Sequence, residues 1–186
     1  MSEFSQVSIK YFRAINEAFH WFVLYEFEIK EEAFFGQTDN IIIEELIGSN
    51  ILGTRLEQTD KDGKQILPGI HHISRPYEFN KIHLSDFQYL KSRNEFDNWL
   101  IGFNTSDLEY DGNMFPDCAK RLMDQAITEI YMRTSLDNGL WHLSKDQFPE
   151  DSNKLEEIHF IYIHMETFIE IDRNKKVIRT FDFGYD

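Results

Sequence analysis

The stretch from Leu155 to Asp186 constrains the fold most, because it alternates apolar and polar side chains almost without interruption around one polar turn. Ile158, Phe160 and Tyr162 fall on one face of an extended chain, and Ile161 and Ile163 on the other. After Met165 the pattern restarts as Phe168-Ile169-Glu170-Ile171, breaks at Asp172-Arg173-Asn174-Lys175, and resumes from Val177 to Phe183. A period of two suits a pleated strand, so this region predicts a hairpin closing an antiparallel sheet.

The 186 residues fit one domain, 1–186, and suffice to bury a core. Composition agrees: 41% hydrophobic and 15% aromatic residues are too many for a disordered chain, and the 17 Phe suit a packed interior. Charge speaks to partners. With 33 Asp and Glu against 19 Lys and Arg, the net charge of −14 repels phosphate backbones and disfavours both nucleic acid and anionic membranes. The acidity either keeps the protein soluble or complements a basic partner and speeds the encounter. Cys118 is the only cysteine, which excludes an intramolecular disulfide. The amino terminus lacks a signal-peptide pattern, and the apolar run Phe19–Phe27 is far shorter than the ~20 residues of a membrane span. A bacterial or other reducing cytoplasm is the expected compartment.

Upstream of the hairpin, Phe4, Val7, Tyr11, Ile15, Phe19 and Phe22 recur at spacings of three and four, predicting a helix over about 5–24. Helix continues in this reading to near Gly36, although Tyr25, Phe27 and Ile29 alternate. Ile41-Ile42-Ile43 opens a predicted β-rich middle, with runs at 51–58 and 65–67 around the turn Asp60-Lys61-Asp62-Gly63. A loop with His71-His72 follows, then an amphipathic helix over 84–99 with Phe87, Leu90, Phe96 and Trp99 as candidate core. The clearest helix begins near Pro116, carries Ala119, Leu122, Met123, Ala126, Ile127, Ile130 and Tyr131 as its apolar stripe, and stops near Asp137-Asn138-Gly139. The fold class expected is therefore α+β: an antiparallel sheet with an N-terminal helix and one or two further helices packed on it.

Chemistry-bearing motifs fail on spacing. Setting Asp62-Gly63 at the fifth and sixth positions of a calcium loop leaves Gln58 and Gly69 at its two ends, where carboxylates belong. His71, His72 and His83 lack zinc-ligand spacing, and His159 and His164 point to opposite faces of a strand. Cys118 sits where a helix amino terminus can activate a thiol, or is simply a small helix residue. The glycines form no phosphate loop, so no nucleotide cofactor is expected; nor is any other cofactor, metal or catalytic residue.

One segment does suit partner binding. Between Asn104 and Asp117 lie Asp107, Glu109, Asp111 and Asp117 without a Lys or Arg, interleaved with Tyr110, Met114 and Phe115. Carboxylates around an aromatic anchor can capture a basic protein, the charges setting rate and register and the ring supplying hot-spot energy. Glu150 and Asp151, with Glu156-Glu157, extend the patch if the two loops lie together; otherwise both are solvated loops.

The acidic, aromatic-rich α+β chain, ending Phe168-Ile169-Glu170-Ile171-Asp172 and Val177-Ile178-Arg179-Thr180-Phe181-Asp182-Phe183-Gly184-Tyr185-Asp186, resembles the small immunity proteins encoded beside bacterial polymorphic and contact-dependent toxins. That resemblance implies a cytoplasmic inhibitor without catalysis, in which an acidic surface caps a cationic toxin such as a nuclease; it carries over no interface residue. Two rivals stand beside it. One is an enzyme whose site is assembled from distant residues, with His71, His72 or His83 at a pocket. The other is a DNA mimic with rows of carboxylates.

Overall fold

A computed structural model of the chain describes residues 7–17, 20–30, 33–48, 83–106, 109–110, 113–114, 117–144 and 164–185. Strands β1 (Val7–Glu17), β2 (His20–Ile29), β3 (Gln88–Leu90), β6 (Leu140–Ser144), β7 (His164–Asp172) and β8 (Val177–Tyr185) form one sheet in the order β1-β2-β8-β7-β6-β3. All its neighbouring strands run antiparallel. Helices α1 (Asp39–Gly48), α2 (Arg93–Ser106) and α3 (Asp117–Arg133) complete the main frame, and β4 (Glu109–Tyr110) and β5 (Asn113–Met114) make a separate two-stranded ribbon. The α+β class and the antiparallel sheet expected from the sequence are both present.

The carboxy-terminal hairpin forms where the alternation predicts it. β7 and β8 pair from His164↔Tyr185 to Asp172↔Val177 around a turn at 173–176, with Lys176 at φ 53°. Arg173 fixes this turn to another part of the chain. Its guanidinium donates to the carbonyls of Phe35 (3.1 Å) and Gln37 (2.8 Å) and pairs with Asp39 at the start of α1. The predicted strand over 158–163, the runs around Asp60–Gly63 and the loop with His71-His72 lie outside the described residues.

The amino-terminal expectation is overturned. Instead of a helix over 5–24 continuing toward Gly36, residues 7–17 and 20–29 form strands β1 and β2, paired antiparallel, and a 3-10 turn stands at Phe34–Gly36. The reason lies in burial. Phe22, Val23 and Leu24 are consecutive and all have no exposed surface, because both faces of this central sheet are covered and the two-residue apolar alternation vanishes. Edge strand β1 carries a register shift between Ile9 and Tyr11, and Lys10 within it reaches Glu26 at 3.9 Å. A bulge bearing a lysine is a common protection for an edge that would otherwise invite strand pairing.

Ile41-Ile42-Ile43 is likewise helical rather than extended. Ile42, Ile43, Leu46 and Ile47 recur at helical spacing and are all buried, while Ile41 is exposed. The packed stripe outweighs the mild helix aversion of β-branched residues. At 84–99 the expected single helix divides into a 3-10 turn at Leu84–Asp86, strand β3 and the start of α2. Its proposed core holds nonetheless: Phe87, Leu90 and Phe96 are buried and Trp99 partly so.

Each sheet face has its own core. On one, Val23, Ile29, Leu143, Ile169, Ile171 and Ile178 meet α1 together with Phe34 and Phe35. On the other, Phe22, Leu24, Leu140, Phe168 and Phe181 meet Phe96 and Leu100 of α2 and Ala126 and Ile130 of α3. Each fully buried Phe here contributes roughly 1.5–3 kcal/mol of burial free energy.

Candidate functional site

The acidic segment chosen from the sequence is only partly loop. Residues 104–106 are the last turn of α2, Glu109 and Tyr110 form β4, and Asp117 opens α3. Backbone pairing sets Glu109 opposite Met114 and Tyr110 opposite Asn113, so the chain folds back on itself between the two helices. Asp107, Asp111 and Phe115 lie outside the described residues, as does the second acidic loop with Glu150 and Asp151. Cys118 is the second residue of α3. His71, His72 and His159 fall outside the described residues, while His83 precedes the 3-10 turn, where its backbone N–H donates to Asp86 at 2.8 Å.

The fold assembles two polar clusters that sequence spacing did not reveal, both on the sheet face under α2 and α3. The first is centred on Arg179, only 2% exposed. Its Nε donates to Glu26 (2.6 Å), and one terminal nitrogen donates to Glu170 (2.6 Å) and Asp172 (3.1 Å). Cross-strand register produces this group, since β8 lies between β2 and β7 and Arg179 is the partner of both Glu26 and Glu170. Glu170, fully buried, also accepts the Ser135 backbone N–H at 2.9 Å and the Asn138 side-chain amide at 3.1 Å, tying the α3–β6 connection to the sheet. Lys10 and Lys175 approach the two ends of the row, at Glu26 (3.9 Å) and Asp172 (3.5 Å).

Burial and the surrounding bonds shift the protonation of Glu170, Asp172 and Arg179. Burial pushes Glu170 above the usual carboxylate range even against its bonds to Arg179 and Asn138. Burial also acts to raise Asp172, but the Lys175 N–H and then Arg179 hold it below that range. Burial alone would lower Arg179; the bonds and charges of its carboxylate partners, Glu170 foremost, raise it instead. The cluster is an interior ion-pair network, chemically suited to locking strand register.

The second cluster joins β6 to β7. Glu166 accepts from Ser144 Oγ at 2.8 Å and pairs with His142 Nε2. The His142 ring stacks on Phe168, with centroids 4.5 Å apart, and meets Trp99 of α2 edge-on at 5.1 Å. His142 Nδ1 is buried and meets no hydrogen-bond partner among the described residues. Serine, histidine and carboxylate are the members of a hydrolytic triad, but their order here is different. The carboxylate stands between the other two, so its bond to Ser144 leaves the hydroxyl unactivated by the imidazole.

A third group lies toward the edge of the sheet. Glu129 of α3 pairs with Arg13 of β1 (3.2 Å) and with Arg133 (2.9 Å), and the Arg133 guanidinium lies 3.3 Å from the Tyr11 ring centroid. This clamps α3 to the edge strand. Nearby on the helical layer, Tyr131 donates its hydroxyl to Asp97, and burial followed by that carboxylate raises the phenol above its ordinary range.

Among the described residues no group of three or more His, Cys, Asp and Glu is arranged to hold a metal, and no helix is long and apolar enough to cross a membrane. No family model, curated protein or solved structure matches the chain.

Proposed function

We propose that the protein is an immunity or inhibitor protein that neutralises a cationic toxin, such as a nuclease, by docking an acidic, aromatic-containing surface on it. The observation that supports this reading is the way the 107–117 segment is built. It carries four carboxylates and no Lys or Arg, yet it joins two helices that pack on one sheet face and contains the paired ribbon β4–β5. A ribbon anchored at both ends presents its charges with less ordering cost than a slack linker would, which favours both rate and affinity. In this reading Tyr110 and Phe115 are the aromatic anchors, Asp107, Glu109, Asp111 and Asp117 the steering charges, and Glu150 and Asp151 an extension of the patch.

The test is inhibition. The product of the neighbouring gene, purified as its toxin domain, should lose activity on addition of an equimolar amount of this protein. The double variant Tyr110→Ala, Asp111→Lys should inhibit at least 30-fold more weakly, given that a hot-spot anchor is worth about 2 kcal/mol or more. Full toxin activity at a several-fold excess of the wild-type protein would overturn the proposal.

A further inference from the structure

We draw no further inference here: the strongest candidate, the buried His142–Glu166–Ser144 cluster beneath Trp99, carries nothing because nothing among the described residues shows a cavity or a group that His142 Nδ1 would meet.

Discussion

At the scale of single residues, Arg179 is the most consequential side chain. It holds Glu26, Glu170 and Asp172 together in an interior with almost no solvent. Arg179→Met removes the cation and leaves three carboxylates facing one another, and breaking such a buried pair costs about 3–5 kcal/mol. Urea unfolding should show that loss, and a change below about 1 kcal/mol would mean that the network does not stabilise the fold. Glu170 and Asp172 respond to acid in opposite senses. Asp172 is depressed in the folded protein, so its stabilisation is present above the unfolded carboxylate range and is lost as pH falls through its lower folded value. Glu170 is raised, so its ionised form opposes folding at neutral pH, and that penalty disappears as pH falls from its folded value toward the unfolded range near about 4.3. Glu170→Gln should therefore abolish a gain in stability on mild acidification that the wild type shows. Parallel stability–pH curves for the two proteins would contradict this assignment.

Gly139 is constrained for a different reason. Its φ is +74°, and a Cβ there would lie 2.4 Å from the Tyr89 hydroxyl, which donates to the Asn138 carbonyl at 3.0 Å. Gly139→Ala thus adds left-handed strain to a steric clash, for an expected loss of about 2 kcal/mol or more in thermal or urea unfolding. A variant as stable as the wild type would show that the turn relaxes freely.

At the scale of elements, legibility followed solvent. The β7–β8 turn was readable because Asp172-Arg173-Asn174-Lys175 breaks two apolar runs, and α3 was readable because one of its sides meets water. β2 was not. Buried on both sides, its Phe22-Val23-Leu24 core has no period of two, and chance spacings among the abundant aromatics imitate a helical stripe. The better signal lay in residue type, since Phe, Val, Trp, Tyr and Ile crowd positions 20–29 as they do in strands. α1 misled in the converse way: three isoleucines in a row suggest a strand, and only the later Leu46-Ile47 pair restores the helical repeat. The core positions at 87, 90 and 96 were found despite a wrong element, because burial depends on apolarity before it depends on conformation. The Arg179 network escaped notice since its members are separated by up to 153 residues and meet only once strand order and register are known. Phe168 and Phe181, paired across β7 and β8 with no exposed surface, test that register: either change to Ala should cost about 3–5 kcal/mol.

At the scale of the whole molecule, four arginines tie separate elements together through ion pairs. Arg179 is buried among carboxylates, Arg13 and Arg133 share Glu129, and Arg173 is bound to the α1 side. The sequence carries a net charge of −14, and its segment from 107 to 117, which includes the ribbon between α2 and α3, holds four carboxylates and no Lys or Arg. The proposed function rests on this charge pattern and requires a basic partner. The most direct measurement is the association rate and affinity of the purified protein for the product of the neighbouring gene, which the proposal requires to be a basic toxin domain, recorded by biolayer interferometry over roughly 50 to 500 mM salt. Electrostatic capture predicts an association rate that falls about tenfold or more over that range, and a steep part of the fall that disappears when Asp107, Glu109 and Asp111 are changed to Asn, Gln and Asn. No binding, or a rate indifferent to both salt and those substitutions, would contradict the account.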